Sequence, residues 1–428
     1  MKTKYFKTST VLVGILMFFS FSNYLKAQSL QDSILNLSDC IELAINNSYQ
    51  LQSDSLLSKS LQMAVEQEQS TYYPQISGGA GISGLFLSPY TFGQHYLQAV
   101  ADWDLGRFRY KTADIQQKQM EQHEALIQQN KLEITGVITG LYLDVLQNQL
   151  EQRILQSKFD YLDNHIQILT VLWKAGTLQQ LDILQTQSLV NTVKEEIMQK
   201  ELSTQQIKYA MARLMGLDSP EYLSVAPVSG NLPSPEIVNE VPEVWLNNHP
   251  LAIKFQKEYE TELLLKKNVL ASFSPHIQAF SGYTFDGDPT GDGNYVLLGL
   301  GATVPIYSWK KKDYQLNEID FTAEAIQKQK QNAERDLSIQ FGQIAQQIEQ
   351  YKNIINFQQK KINTDREVTK VAEVNYKAGL ATNLDFLVAQ QTLTETELKI
   401  NNVRNQYLKS IIAMWLLTGQ MDKIKNIN

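Results

Sequence analysis

Residues able to make or break bonds are few in this chain and stand apart. Cys40 is the single cysteine, and the five histidines (His95, His123, His165, His249, His276) are scattered. A protein metal site draws on Cys and His at short, regular spacing, which is not found here. No nucleophile stands beside a base, and no glycine loop follows a strand in phosphate-cradling form. The reading is of a protein that is not an enzyme and needs no cofactor. One charged set does recur. VLWKAGTLQQLDIL runs from Val171 to Leu184 and VNYKAGLATNLDFL from Val374 to Leu387, with 7 of 14 positions identical. Each phrase sets a lysine (Lys174, Lys377) and a carboxylate (Asp182, Asp385) on either side of a glycine (Gly176, Gly379). The chemistry this suits is electrostatic. A lysine in a last helical turn and a carboxylate in a first turn each complement the helix dipole. The glycine between them supplies the left-handed residue that ends a helix. Leu181 and Leu384 can then pack back onto the hairpin.

Such a phrase needs a helix on each side. All 11 prolines fall within residues 74–89, 220–250 and 275–305. Proline costs a helix interior about 3 kcal/mol, so the two proline-free stretches permit very long helices. Leu126, Ile127, Ile134, Val137, Ile138, Leu141, Val145, Leu150 and Ile154 recur at helical steps. Helices over about 109–173 and 313–376 would each be roughly 100 Å long at 1.5 Å per residue. Return helices are expected at about 181–215 and 384–417. Gly136 and Gly140 form a GxxxG, and with Glu133 and Asp144 beside it the motif reads as close packing between water-facing helices. Cys40 reads as a small, half-buried apolar residue.

Before each long helix the period changes to two. Val296, Leu298, Leu300, Ala302, Val304 and Ile306 alternate with Tyr295, Leu297, Gly299, Gly301 and Thr303. Leu97, Ala99, Ala101, Trp103 and Leu105 alternate with Gln98, Asp102 and Asp104. Ile277, Ala279, Tyr283 and Phe285 alternate with His276, Gln278, Gly282 and Asp286. Alternating segments near ten residues suit transmembrane β-barrel strands. Aromatics stand near their ends: Phe86, Trp103, Tyr283, Phe285, Tyr307 and Trp309.

Lys2, Lys4 and Lys7 precede the apolar run VLVGILMFFSF, which reads as a secretory signal peptide over 1–27. The net charge of −7 argues against a nucleic-acid partner. The repeated phrases are offset by 203 residues, while Asn46-Asn47 and Asn247-Asn248, and Tyr73-Pro74 and Ser274-Pro275, repeat at 201. We therefore expect two structural repeats, 28–219 and 242–428, joined by a Pro-rich segment, 220–241. Each repeat would hold a β-hairpin (about 76–105 and 276–308), a long helix, a tip (174–181 and 377–384) and a return helix. Four strands cannot close a membrane barrel, because open edges leave backbone groups unpaired in lipid. Two copies would give eight strands, filled by side chains, and three would give twelve, enough for a pore. The alternative is a periplasmic or surface coiled-coil spacer without a pore, for which the two hairpins have no use.

Together these features resemble the TolC-like outer-membrane efflux proteins. The resemblance is carried by NLSDCIELAINN from Asn36 to Asn47, YYPQIS from Tyr72 to Ser77, WDL before the first long helix, VPIYSW before the second, and both KAG…LD phrases. It implies a mixed α/β membrane protein made mostly of long α-helices that form a periplasmic α-barrel. Four strands per chain would complete a trimeric, 12-stranded outer-membrane β-barrel. The implied partners are two further copies in a homotrimer, outer-membrane lipid, a periplasmic adaptor, and through it an inner-membrane pump of proton-driven or ABC type. The implied role is passive export of small toxic molecules or secreted proteins. Gly176, Thr177, Leu178, Gly379, Leu380 and Ala381 match the family's adaptor-docking tips, with Thr177 where leucine is common. Asp182, Tyr376 and Asp385 match its periplasmic gate, Asp385 as a ring of carboxylates and Tyr376 and Asp182 as ties between hairpins. A second acidic ring would fall at Val388 and a basic partner at Ala381, so fewer polar ties are expected here.

Overall fold

The computed structural model describes residues 34–87, 90–218, 223–227, 245–288 and 291–425. The expected signal peptide and most of the expected 220–241 joint lie outside them, as does the side chain of Phe86. In chain order the elements are β1 (Ile34–Leu35), α1 (Leu37–Asn47), α2 (Tyr49–Ser70), β2 (Gln75–Leu87), β3 (Tyr90–Asp104), α3 (Thr112–Lys174) and α4 (Gln180–Met215). Then follow β4 (Ser224–Val225), α5 (Pro250–Ser272), β5 (His276–Asp288), β6 (Gly291–Thr303), α6 (Lys311–Lys377), α7 (Asn383–Leu417) and α8 (Met421–Lys425). The protein is mostly helical. The succession helix, two strands, long helix, return helix occurs at α2–α4 and again at α5–α7. Two compact units are present: Met1–Tyr49 with Lys131–Pro242 and Ser338–Asn428, and Gln50–Asn130 with Glu243–Leu337.

The second unit holds a four-stranded antiparallel sheet in the order β2-β3-β5-β6. Directly paired residues share a face, so the register sorts the side chains. Gly78 pairs with Ala99, Ala99 with Tyr283, and Tyr283 with Val296. That face carries Ile76, Ala80, Leu97, Ala101, Trp103, Ile277, Ala279, Phe285, Leu298, Leu300 and Ala302 as well, with Ser281 and Asn294, and among the residues whose side chains are described it bears no charge. The opposite face carries Gln75, Ser77, Gln98, Asp102, Asp104, His276, Gln278 and Thr284 with five glycines, Gly79, Gly81, Gly282, Gly299 and Gly301. Two of those glycines lie under aromatic rings of their cross-strand partners. A Cβ on Gly81 would stand 2.6 Å from the Tyr96 ring, and one on Gly299 2.2 Å from the Phe280 ring. The ladder ends at Thr303, short of the Ile306 that the alternation predicts, because Pro305 has no N–H to continue it. Tyr307 and Trp309 beyond it are exposed and meet edge-to-face at 4.8 Å.

In the same unit α3 and α5 are tied by four charges. Lys118 meets Glu121 at 2.9 Å and Glu260 at 3.1 Å, and Lys257 meets Glu121 at 2.9 Å. Burial alone would raise the Glu121 carboxyl, but Lys118 and Lys257 hold it down to about 2.

In the first unit, α1 lies against α3, α4 and α8 around Leu37, Cys40, Ile41, Ala44, Ile138, Tyr142, Met211, Met215 and Ile424. β1 pairs in parallel with β4, and the Tyr142 hydroxyl donates to the Ala226 carbonyl at 2.7 Å. Cys40 is fully buried rather than half-buried, since α1 packs that side of its turn inward. Burial, then the Asp39 carboxylate, pushes its thiol up to about 12. Asn47 donates to the Met215 carbonyl at 2.6 Å and so closes the end of α4. Gly136 faces α7, where an added Cβ would stand 3.0 Å from Leu416 Cδ1, whereas Gly140 has open space. No described helix is long and apolar enough to cross a membrane. Among the described residues no group of three His, Cys, Asp or Glu could hold a metal.

Candidate docking tips and gate

Each repeated phrase folds as the junction of a long helix and its return helix. At the first, the Gly176 N–H donates to the Trp173 carbonyl at 2.9 Å and the Thr177 N–H to the Leu172 carbonyl at 3.1 Å. At the second, Gly379 donates to Tyr376 at 3.0 Å and Leu380 to Asn375 at 2.8 Å. This nested pair of bonds is the Schellman ending, and it requires a left-handed residue. Gly176 has φ 75° and Gly379 has φ 73°. A side chain at either would meet nothing, so conformation and not space demands the glycine.

The two tips differ beyond that point. The Thr177 hydroxyl donates to the Leu172 carbonyl at 2.8 Å, so it closes the turn. Leu380, its counterpart, makes no such bond and is 79% exposed. The start of α7 is a complete capping box: Asp385 N–H donates to Thr382 Oγ1 at 3.2 Å, and Thr382 N–H donates to Asp385 Oδ2 at 3.0 Å. The Thr382 hydroxyl also donates to Asp385 Oδ2 at 2.6 Å, which lowers the Asp385 pKa further below the usual carboxylate value. The start of α4 has Gln179 at the cap position with no side-chain bond. Asp182 sits in its first turn.

Behind the tips, the two hairpins pack around Leu155, Leu162, Val193, Phe386 and Leu387. An aromatic group fills the space nearest the turns. Tyr376 stacks on Phe386 with ring centres 6.0 Å apart, and the His165 ring lies 5.5 Å from Tyr376 and 5.1 Å from Phe386. The Tyr376 hydroxyl is buried without a hydrogen-bond partner. Burial, then the Asp182 carboxylate, raises its pKa. Asn383, 2% exposed, bridges the hairpins. It donates to the Asp182 carbonyl and to Thr186 Oγ1, both at 3.2 Å, and faces His165 Nε2 through Oδ1 at 2.9 Å.

The profile of the outer membrane efflux protein family matches residues 40–217 and 269–420. The chain belongs to this family. No curated protein sequence matches it. Among solved structures it is similar to the channel MtrE of Neisseria gonorrhoeae in its open state, at 15% identity and TM-score 0.79 over 90% of this chain and 88% of that one. VceC of Vibrio cholerae matches at 16% identity and TM-score 0.76, over 90% and 96%. CmeC of Campylobacter jejuni matches at 14% identity and TM-score 0.78, over 91% and 89%. The efflux-family match spans both KAG…LD phrases and both long helices, and the solved channels share the fold.

Of the residues expected to serve docking, Gly176, Thr177 and Leu178 form one turn and Gly379, Leu380 and Ala381 the other. Of those expected to serve the gate, Tyr376 and Asp182 lie near each other across the hairpins, while Asp385 stands on the solvent side within its own cap. Asn383 and His165 were not singled out from the sequence. Their partners lie 218 and 201 residues away along the chain, beyond any local spacing. The available hint was Asn383 in place of Gln180 within an otherwise repeated phrase.

Proposed function

We propose that the chain forms a homotrimeric outer-membrane channel that passively exports small molecules or secreted proteins. The observation that carries this is the sheet, with one predominantly apolar face and two strands, β2 and β6, unpaired at its edges among the described residues. In lipid each edge N–H and C=O must find a partner, and three copies would join β6 to the next β2 in a closed ring of twelve strands. The polar and glycine-rich face would then line the lumen. The long helices would form a periplasmic tunnel.

The tips Gly176-Thr177-Leu178 and Gly379-Leu380-Ala381 would meet a periplasmic adaptor, itself coupled to an inner-membrane pump. Six tips per trimer suit a six-membered adaptor ring. Asp182, Tyr376 and Asp385 would form the gate. The buried, unpartnered Tyr376 hydroxyl supports that reading, since a buried donor left unpaired costs about 1–3 kcal/mol. A shift of one hairpin against the other would free it to find an acceptor. Outer-membrane fractions tested for heat-modifiable trimers, and purified trimers tested in planar bilayers, decide the matter. Trimers with stepwise conductance are expected; a soluble elongated particle would leave a coiled-coil spacer instead.

A further inference from the structure

The two hairpins of one chain are joined behind the tips by an amide that sequence repetition does not supply twice. Asn383 is the first residue of α7 and is almost fully buried. Its side chain reaches both limbs of the other hairpin: His165 on α3, and the Asp182 carbonyl and Thr186 hydroxyl on α4. Thr186 already donates its own proton to the Asp182 carbonyl at 2.8 Å, so it can only accept from Asn383. The two amide hydrogens and the amide oxygen are thus all used. Burial makes the arrangement demanding, because a buried polar group without a partner is costly.

The pseudo-equivalent positions at the 203-residue offset carry none of this. Gln180 stands where Asn383 would recur and is exposed. Val368 replaces His165 and Ala389 replaces Thr186, so neither can hydrogen-bond through its side chain. The polar joint is therefore built between the hairpins of a single chain and has no counterpart on the flank that would face a neighbouring copy.

We propose that Asn383 is a positioning residue that latches the second hairpin to the first within one chain and holds the tip in its resting arrangement. The link to conductance rests on the channel reading above; the latch itself does not. Replacing Asn383 with leucine keeps the branched shape and heavy-atom count of the side chain and removes the three bonds. The loss of these three bonds shifts a latched-to-released ratio at least about tenfold.

Two measurements separate the claims. Spin labels are placed at Lys174→Cys and Lys377→Cys, both exposed, in chains diluted among unlabelled ones so that only the distance within a chain is read. Cys40 is buried and stays unlabelled. The parent should give one narrow distance distribution, and Asn383→Leu a broadened or longer one. His165→Phe should do the same to a smaller extent, and His165→Phe/Asn383→Leu should add little to Asn383→Leu, since the His165 bond is already among the three that Asn383→Leu removes. An unchanged distribution in Asn383→Leu overturns the latch. In planar bilayers the Asn383→Leu trimer should show a several-fold higher resting conductance. A broadened distance with parental conductance would leave the latch and overturn its role at the mouth. A parent trimer with no conductance would overturn the channel reading while the distance result stands.

Discussion

Leu380 and Asp385 lie five residues apart and carry separable consequences. The Leu380 side chain is exposed and the turn is held by its backbone N–H, so Leu380→Asp alters a surface without removing a bond of the turn that presents it. Trimer formation should be unchanged and adaptor-dependent export abolished, read as restored drug sensitivity in cells. Parental export would remove Leu380 from the docking surface. Gly379→Pro is a poorer probe, because proline near φ −65° cannot adopt φ 73° and the turn itself would fail. Asp385 needs similar care. Its carboxylate completes the capping box, so Asp385→Ala removes a charge and also a cap worth about 1 kcal/mol. Asp385→Asn keeps an acceptor for Thr382 and removes only the charge. If three such carboxylates ring the mouth, cation selectivity in bilayer recordings should fall in Asp385→Asn and rise again with nothing but a restored acid. The turn chemistry of these residues was legible in the sequence, since glycine, lysine and aspartate sit at the offsets that helix ends require. The bridge through Asn383 was not, since it joins residues that only tertiary packing brings together.

At the scale of elements, the prolines marked where helices could not run, and α3 and α6 fill the proline-free stretches. The period-two segments became the sheet because each strand finds an apolar face in its neighbour's register. Gly136 and Gly140 do not act as one packing motif. Gly136 approaches Leu416 of α7, but Gly140 meets nothing. Glycine in a helix interior costs about 0.5–1 kcal/mol relative to alanine. Gly140→Ala should therefore raise the melting temperature, and Gly136→Ala should gain less or lose, since Leu416 must move. Equal gains would deny the close approach. The α3–α5 charge network gives a pH-dependent test. The folded Glu121 value of about 2 lies below its ordinary 4.5. Its pairing therefore contributes stability above about pH 4.5, and that contribution is lost as pH falls toward 2. With side chains about a quarter exposed, the pairing is worth on the order of 1 kcal/mol. Glu121→Gln should lower the melting temperature at neutral pH, with the difference shrinking as pH falls from about 4.5 through about 2. A difference that persists at low pH would assign the effect to packing.

For the whole molecule, the question is whether the sheet closes with other copies of itself. β2 and β6 are the two edges, and the register fixes which ends share a side. Gln75 aligns with Asp102, Asp104 with Gln278, and His276 with Thr303, so the starts of β2 and β5 lie beside the ends of β3 and β6. Antiparallel closure then places Ser77 near Gly301 of the next copy, within one or two residues of register. Ser77→Cys paired with Gly301→Cys or Thr303→Cys, which share its face of the sheet, samples that range, and Gly299 is avoided because its added Cβ would meet the Phe280 ring. The native Cys40 is buried, and its thiol, pushed up to about 12, will not compete for oxidation. Mild oxidation of membranes should give dimers and then trimers on a denaturing gel for one register, and no higher species, because a closed ring has no free edge. Open polymers would mean that the edges pair without closing. Monomers at both registers would show that β2 and β6 do not meet, and the lipid-compatible face of the sheet would then need a different partner.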